Sequence, residues 1–216
     1  MRIGVLGTGV VGQTIATKLV SLGHDVKMGS RTAGGEKARA WVARAGSRAS
    51  EGTFADAAAF GELAFNCTNG AGSLAALESA GAENLRGKIL IDLSNPLDFS
   101  KGFPPTLFVS NDDSLGERIQ RALPETRVVK TLNTVNSDVM VDPARVPGDH
   151  TIFMSGDDAS AKAQVRELLV GGFGWRDVID LGDITTARGT ESYLHLWVRL
   201  YGILKNANFN VHVVRS

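Results

Sequence analysis

Cysteine is almost absent from this sequence, since Cys67 is the only one among 216 residues. A single cysteine excludes an intramolecular disulfide and is typical of a protein in a reducing compartment. No run approaches the ~18 consecutive apolar residues of a membrane span. The chain also reaches glycine-rich sequence by Gly7, without the apolar stretch of a signal peptide. We therefore expect a cytoplasmic protein.

Net charge is also missing, because 23 Lys and Arg residues balance 23 Asp and Glu residues. No bulk field therefore favours nucleic acid or an anionic membrane, and we expect neither as a partner. The three tryptophans form no spaced ladder of the kind that stacks single-stranded nucleic acid. The sequence shows no compact Ser/His/Asp or Cys/His cluster and no metal-ligand cluster, so it predicts no metal site and no certain catalytic side chain.

Glycine, by contrast, is in excess at 25 of 216 residues, which is about 12% against a usual ~7%. Strand and helix patterns alternate around these glycines. The predicted strands are 3–6, 25–29, 47–50, 62–67, 88–93, 127–132, 151–155 and 178–181. The predicted helices are 11–22, 35–45, 54–60, 73–80, 114–123, 159–169 and 187–206. Such alternation predicts an α/β fold, a Rossmann-type doubly wound parallel sheet. We expect a dinucleotide-binding domain at 1–145 and a small C-terminal α/β extension at 146–216, ending in a hydrophobic helix.

A glycine motif lies where the first predicted strand meets the first predicted helix. It is G-x-G-x-x-G, and its members are Gly7, Thr8, Gly9, Val10, Val11 and Gly12. In this context the first glycine allows a tight turn, the second lets a pyrophosphate approach the backbone, and the third allows close helix packing. The helix N-terminus then offers N–H groups to the phosphates. The motif predicts dinucleotide binding; the alternative is a turn that needs glycine only for packing.

The end of the second strand indicates which dinucleotide. An NAD site usually has Asp or Glu there for the ribose 2′-hydroxyl, but this chain has Ser30, Arg31 and Thr32. A hydroxyl and a guanidinium suit a 2′-phosphate, which a carboxylate would repel. The segment predicts NADP(H), unless Arg31 is an ordinary surface arginine.

Later strand ends should face the same ligand, because ligands of open α/β sheets bind outside the carboxyl ends of the strands. We expect contacts from Thr68, Asn69, Asn95 and Pro96. We also expect Gly156, after its own strand, to face the cofactor. Asparagines are also common turn residues, so Asn69 and Asn95 either contact the ligand or only form turns.

The last predicted helix is apolar almost all round. A helix of that kind is buried on most sides, and we expect it to be covered partly by its own domain and partly by a second subunit in a homodimer. His195 on this helix is either a buried or interface residue or a proton donor facing the substrate. Cys67 is expected to be a small core residue rather than a redox thiol.

With the glycine motif and Ser30–Arg31 in place, the sequence resembles the NADPH-dependent coenzyme F420 reductase family, which is related to the reductase domains of STEAP metalloreductases. The resemblance is most specific over 1–35 and continues through 92–96 and 129–134. It implies that Thr8, Ser30 and Arg31 lie near the phosphates of NADP. It also implies that the nicotinamide faces the loops 94–97 and 133–135.

Two departures accompany the resemblance: some members have a histidine where this chain has Asn133, and the loop 95–98 is longer and more polar. The implied activity is hydride transfer between NADP(H) and a planar acceptor, a deazaflavin such as coenzyme F420 or a flavin. Asn95, Pro96, Asn133 and Thr134 would position the rings rather than act as acid or base. An NADPH-dependent imine or keto reductase and a non-catalytic NADP(H) sensor are the alternatives.

Overall fold

The computed structural model describes every residue from Met1 to Ser216. The strands are β1 (Arg2–Leu6), β2 (Asp25–Ser30), β3 (Ala49–Thr53), β4 (Leu63–Asn66), β5 (Ile89–Asp92), β6 (Leu97–Asp98), β7 (Thr106–Leu107), β8 (Arg127–Thr131), β9 (Thr151–Ser155) and β10 (Asp177–Asp180). Eight of them form one sheet in the order β10-β9-β8-β5-β4-β1-β2-β3, and β6 and β7 form a separate hairpin.

Ten α-helices connect the strands. They are α1 (Val10–Ser21), α2 (Glu36–Ala45), α3 (Phe54–Phe60), α4 (Gly70–Ala80), α5 (Ala82–Leu85), α6 (Leu115–Ala122), α7 (Ser137–Val141), α8 (Ala159–Glu167), α9 (Ala187–Ser192) and α10 (Leu194–Leu204). Short turns of other helical types are Pro143–Arg145, Leu168–Phe173 and Ile184–Thr186. None of the helices is both long enough and apolar enough to cross a lipid bilayer.

The sheet has a hydrophobic core on each face, because successive side chains of a strand point to opposite sides. In β5, Ile89 and Ile91 belong to one core and Leu90 belongs to the other. The first core includes Trp41 of α2 together with side chains of α1 and α8, and the second includes Ile119 of α6 together with side chains of α3 and α4. This arrangement confirms the predicted doubly wound α/β fold.

The order in which successive strands are added to the sheet reverses at β1. Strands β2 and β3 lie on one side of β1, strands β4, β5 and β8 lie on the other, and all six run parallel. The carboxyl ends of β1 and β4 therefore lie side by side at the point of reversal, with Leu6 opposite Asn66. Ligands of open α/β sheets bind at such a point.

The last two strands run the other way. β9 pairs antiparallel with β8, with Lys130 opposite Ser155, and β10 runs parallel to β9. The expectation that Gly156 faces the cofactor is wrong for this reason. The reversed β9 carries Gly156 to the opposite edge of the sheet, where a Cβ on it would lie 2.6 Å from the carbonyl oxygen of Val128, near the start of β8.

The helix predicted over 187–206 is interrupted at Tyr193 and forms α9 and α10. After α10 the chain returns to the sheet, where the N–H of Thr151 donates to the Val211 carbonyl (2.9 Å) and the side-chain amide of Asn136 donates to Asn208 Oδ1 (2.9 Å). The single sheet continues across residue 145, and the division into 1–145 and 146–216 stays a prediction.

Only part of α10 is covered within one chain. Leu194 and Val198 are buried, whereas Leu196, Ile203 and Leu204 are 52%, 79% and 52% exposed. The exposed residues recur at the seven- and eight-residue spacing that places them on one side of a helix. Within a single chain the C-terminal helix thus leaves an apolar stripe uncovered.

Candidate functional site

Two glycines of the motif are required by the protein itself. Gly7 has a φ of 122°, its N–H donates to the Gly29 carbonyl, and a Cβ on it would lie 2.7 Å from the carbonyl oxygen of Cys67. A Cβ on Gly12 would lie 2.1 Å from the Gly7 carbonyl oxygen. No side chain fits at either distance, so the tight turn and the close packing of α1 depend on these glycines.

Gly9 differs from the other two. Its backbone is extended, with φ −73° and ψ −176°, and no protein atom would lie within 4 Å of a Cβ placed on it. The chain alone therefore gives no reason for glycine here, and the surface in front of Gly9 is open. No side chain caps α1, and the N–H groups of Val10 and Val11 have no partner in the chain. An open backbone surface with free N–H groups fits a pyrophosphate.

The loop after β2 is exposed and cationic. Arg31 and Thr32 are exposed, and the Arg31 guanidinium has no ion pair or hydrogen bond. Ser30 Oγ donates to the Thr32 carbonyl at 2.7 Å. The sequence pattern did not reveal what holds this loop: the N–H of Gly34 donates to both carboxylate oxygens of Glu51 on β3, at 3.1 and 2.9 Å.

The segment after β4 is helical from Gly70 onward, so α4 begins three residues before the predicted helix 73–80. Asn69 caps α4, because its Oδ1 accepts from the N–H of Ala71 at 3.0 Å. Ser73 is instead a buried residue within α4 whose Oγ accepts from the Asn66 amide (3.2 Å). Thr68 Oγ1 donates to Asn66 Oδ1 at 2.6 Å.

The loops after β4, β5 and β8 meet. A Cβ on Gly70 would lie 1.9 Å from the Asn95 carbonyl oxygen, so only glycine permits this contact. The Asn95 amide donates to the Asn133 carbonyl (2.8 Å), and the Asn133 amide donates to Asn95 Oδ1 (3.0 Å). Sequence reasoning selected both asparagines, and the structure shows that they bind each other: the Asn95 side chain binds the Asn133 main chain, and the Asn133 side chain binds Asn95 Oδ1.

The neighbours of this asparagine pair are constrained. Pro96 is buried, and Leu132, immediately before Asn133, has a φ of 62°. A left-handed backbone at a branched side chain costs about 1–3 kcal/mol and is found where the surroundings enforce it. Thr134 is buried, and its hydroxyl has no hydrogen-bond partner in the chain.

Beneath these loops lies a buried cluster of charges. Lys130 Nζ is 2.7 Å from Asp92 Oδ2 and 2.8 Å from Glu191 Oε1, and all three side chains are at most 2% exposed. Lys130 also donates to the Ser94 carbonyl, and Asp92 Oδ1 accepts from Ser94 Oγ (2.8 Å) and from the Asn66 amide (2.8 Å). These contacts fix the loops that start at Ser94 and Thr68.

The charges of this cluster also determine its protonation. Burial alone would lower the pKa of Lys130, but the negative charges of Asp92 and Glu191 and their hydrogen bonds outweigh it, and the pKa is raised above its ordinary value. Glu191 accepts in addition from the N–H groups of Leu115 and Gly116 at the start of α6. The signal available in the sequence was a lysine inside an apolar strand and an aspartate at the end of another.

Two adjoining cavities open at this edge of the sheet. The smaller, about 160 Å³, is lined by Val11, Cys67, Thr68, Asn69, Gly70, Leu93, Ser94, Asn95, Leu97 and Phe99. The larger, about 510 Å³, is lined by Asn69, Gly70, Ala71, Leu74, Leu97, Asp98, Phe99, Phe108 and Leu115. Four residues belong to both walls, so the two cavities are adjacent. The smaller one touches the glycine motif through Val11, and the larger one touches the β6–β7 hairpin through Leu97 and Asp98.

The structure also shows the surroundings of two other candidate residues, Cys67 and His195. Cys67 is buried, and burial raises the pKa of its thiol, so the thiolate is suppressed. His195 is exposed on α10 and lines neither of the two cavities.

A family model described as NADP oxidoreductase, coenzyme F420-dependent, matches residues 2–96. The F420-dependent NADP reductase of Methanothermobacter marburgensis is 30% identical over 209 residues, which are 93% of this chain and 92% of that protein. The chain belongs to the coenzyme F420-dependent NADP oxidoreductase family. It is an NADP-dependent oxidoreductase.

Two further proteins are similar to this chain. The crystal structure of a protein from Arthrobacter sp. FB24, described as an F420-dependent NADP-reductase, is 55% identical, superposes with a TM-score of 0.95 and covers 100% of both chains. The metalloreductase STEAP3 of Rattus norvegicus is 29% identical over 88% of this chain and 36% of its own length. The chain therefore spans about a third of STEAP3. Family membership establishes the use of NADP(H), as the glycine motif and Arg31 predicted.

Proposed function

We propose that this protein transfers hydride between NADP(H) and a planar acceptor, either a deazaflavin such as coenzyme F420 or a flavin. The observation that carries the proposal is the adjacency of the two cavities. One touches the glycine motif, the other touches the β6–β7 hairpin, and they share a wall formed by Asn69, Gly70, Leu97 and Phe99. Two flat rings placed in these cavities would be neighbours.

The dinucleotide side is assigned to the motif. The pyrophosphate would lie against the segment Gly7–Thr8–Gly9–Val10–Val11–Gly12, where Gly9 leaves the backbone open and the first turn of α1 has free N–H groups. Ser30, Arg31 and Thr32 would hold the 2′-phosphate. The Arg31 guanidinium is exposed and unpaired, so no existing ion pair has to break before it binds phosphate.

The nicotinamide side is assigned to the loops that meet above the buried charge cluster, with Thr68, Asn69, Asn95, Pro96, Asn133 and Thr134 as its residues. The Asn95–Asn133 pair fixes two loops relative to each other. The buried hydroxyl of Thr134 has no hydrogen-bond partner in the chain. We propose that it forms a hydrogen bond with the carboxamide of the nicotinamide.

NADPH, when bound, would supply the hydride, and the acceptor would take up that hydride together with a proton from solvent. The protein contributes orientation, since reacting carbons must approach within about 3–3.5 Å. No side chain of the two cavity walls forms an acid–base pair, and the one buried thiol is held protonated by its pKa shift. The composition of these cavity walls therefore agrees with catalysis by positioning of the two rings.

Stopped-flow spectroscopy at the reduced-nicotinamide band tests the proposal. Oxidation of NADPH on mixing with a deazaflavin or a flavin is the expected result. Turnover only with an imine or a keto acid would assign the protein to the alternative reductase class. Tight NADPH binding with no oxidation by any of these acceptors would make it a cofactor sensor.

Assembly and location complete the proposal. We infer a homodimer whose contact includes the uncovered stripe of α10, because Leu196, Ile203 and Leu204 together expose more apolar surface than isolated surface residues usually do. We also infer a cytoplasmic location, because the single Cys67 is buried and can form no internal disulfide.

A further inference from the structure

The side chain of Gln13 reaches back from the first turn of α1 to the glycine motif. Its Nε2 donates to the Thr8 carbonyl at 3.0 Å. No main-chain N–H donates to this carbonyl, so the Gln13 amide is its only partner in the chain. A side chain that binds one peptide group in a turn limits how that group can rotate. Gln13 therefore fixes the orientation of the Thr8–Gly9 peptide.

The orientation of this peptide decides what the turn offers to a ligand. In a trans peptide the C=O and the N–H point in opposite directions. Because Gln13 holds the Thr8 carbonyl on one side, the N–H of Gly9 points to the other side, where it has no partner in the chain. Gly9 is exposed, and no protein atom lies within 4 Å of a Cβ placed on it. A free N–H beside an open surface suits a phosphate oxygen.

Arg44 of α2 determines which end of the Gln13 amide faces Thr8. Its Nη2 donates to Gln13 Oε1 at 2.9 Å. A guanidinium has donors only, so the amide must turn its oxygen toward Arg44 and its NH₂ group toward the carbonyl. Trp41 holds α2 against α1 at this point, because its ring is 1% exposed and its Nε1 donates to Thr17 Oγ1 at 3.1 Å. A residue of α2 thus controls the amide that supports the glycine turn.

Resting on the proposed placement of the dinucleotide, we propose that Gln13 is a positioning residue for the pyrophosphate and that Arg44 acts through it. Gln13 holds the Thr8–Gly9 peptide so that the N–H of Gly9 meets a phosphate oxygen without rearrangement. Without Gln13 this peptide can rotate and turn its carbonyl oxygen, which repels phosphate, toward the ligand. NADPH and NADH both contain a pyrophosphate, so both should depend equally on Gln13, whereas only NADPH should depend on Arg31.

Gln13→Met tests the proposal, because methionine keeps the length of the side chain but cannot bind Thr8 or Arg44. In fluorescence titrations the Kd values of NADPH and NADH should each rise about five- to tenfold, the effect of one lost hydrogen bond. Adenosine 2′-monophosphate carries the 2′-phosphate without a pyrophosphate, so its Kd should equal that of the wild type. This unchanged Kd also shows that the variant is folded.

Two further variants serve as references for Gln13→Met. Arg31→Ala should give the complementary pattern, with weaker binding of NADPH and of adenosine 2′-monophosphate and unchanged binding of NADH. Thr14→Val is the matched control, because it alters the adjacent position of α1 and leaves both hydrogen bonds of Gln13 in place. Its three Kd values should equal those of the wild type.

A double-mutant cycle tests whether Arg44 acts through Gln13. Arg44→Met alone should raise the Kd of NADPH and of NADH by less than Gln13→Met does, because the amide then takes both orientations and binds Thr8 only part of the time. In the Gln13→Met background, Arg44→Met should change neither Kd. Arg39→Ala, at another exposed arginine of α2, is the control. A further loss of affinity in the double variant would show that Arg44 acts on the cofactor directly and would overturn its assigned role.

The remaining outcomes separate this inference from the proposed function. Unchanged binding of both dinucleotides to Gln13→Met, a loss for NADPH alone, or an equal loss for adenosine 2′-monophosphate would each overturn the positioning role. If Gly9→Ala weakens NADP(H) binding while Gln13→Met does not, this inference fails alone. If neither variant weakens binding, the placement of the pyrophosphate fails as well. None of these titrations depends on the identity of the acceptor.

Discussion

Lys130 Nζ lies 2.7 Å from Asp92 Oδ2, and neither side chain has any exposed surface. Glu191, from the C-terminal part of the chain, completes the cluster at 2.8 Å. Each carboxylate is also hydrogen-bonded: Asp92 accepts from Ser94, and Glu191 accepts from the first N–H groups of α6. The cluster thus connects the loop proposed for the nicotinamide to a helix that the Rossmann motif does not include.

Lys130→Met should destabilise the protein by about 3–5 kcal/mol, because it leaves two buried carboxylates without a cation. Urea unfolding measures the change. Glu191→Gln keeps an oxygen acceptor for α6 and should cost less, about 1–3 kcal/mol. A Lys130→Met protein as stable as the wild type would show that the buried cluster does not hold the fold.

The raised pKa of Lys130 also predicts that the protein loses stability at alkaline pH. A lysine whose pKa is raised on folding contributes stability that is fully present below its ordinary pKa of 10.5 and is lost as the pH rises through the folded-state value. The stability difference between the wild type and Lys130→Met should therefore be constant at neutral pH and shrink above about pH 10.5. Unfolding curves at several alkaline pH values measure this difference.

Arg31→Ala should weaken NADPH binding by about 1.5–3 kcal/mol, the range for a hydrogen bond to a charged group, and leave NADH binding nearly unchanged. Fluorescence titration with both cofactors measures the two Kd values. Arg39→Ala is the control, because Arg39 is another exposed arginine, on α2. Equal losses for NADPH and NADH would rule out a 2′-phosphate role for Arg31.

Gly9→Ala and Gly12→Ala form a second matched pair. Gly9 has an extended backbone and open space around its Cβ position, so alanine should leave the melting temperature unchanged while NADP(H) affinity falls at least about tenfold by obstruction of the phosphate. Gly12→Ala should destabilise the fold itself, because its Cβ would lie 2.1 Å from the Gly7 carbonyl oxygen. Unaltered NADP(H) affinity in Gly9→Ala would contradict the placement of the pyrophosphate.

Asp113→Asn should lower stability at neutral pH by up to about 1 kcal/mol, because its arginine partners are partly exposed and solvent screens the ion pairs. Burial raises the pKa of Asp113, but hydrogen bonds from Arg118, Arg121 and the Ser114 N–H outweigh it and bring the pKa to about 2. An aspartate of this kind contributes stability above its ordinary pKa of 3.8 and loses it as the pH falls through about 2. The difference from the wild type should vanish in that acid range, and the exposed Asp112→Asn variant should show no comparable change.

Ile203→Glu, together with Leu196→Glu, should produce monomers if the stripe on α10 is a dimer contact, because two carboxylates in an apolar interface are costly to bury. Light scattering of the wild type and the double variant measures the mass. A wild-type monomer would refute the homodimer.

Local patterns predicted the part of the site that lies in one stretch of chain. The strand β1, the glycine turn, α1 and β2 follow one another within thirty residues, and short-range steric rules decide where each ends. Gly23, for example, has a φ of 85° just after α1, as expected of a residue that terminates a helix. The sequence alone also shows that no acidic residue follows β2.

Pairings between distant residues could not be predicted in this way. Four contacts join segments that lie between 17 and 60 residues apart. They are the antiparallel pairing of β9 with β8, the Asn95–Asn133 pair, the Glu51 contact with Gly34 and the hydrogen bond from Thr151 to Val211 in the tail. Hydrophobic periodicity records which face of a strand is buried but not which neighbour it meets or in which direction that neighbour runs.

The sequence by itself therefore determined the fold class, the dinucleotide turn and the preference for NADP(H), because each depends on a few adjacent residues whose backbone and charge requirements are local. The tertiary structure alone decided the shape of the acceptor side. There, Lys130 is enclosed by carboxylates from β5 and α9, and a hairpin beside α4 forms an apolar cavity, because only folding brings these separate segments close enough to interact.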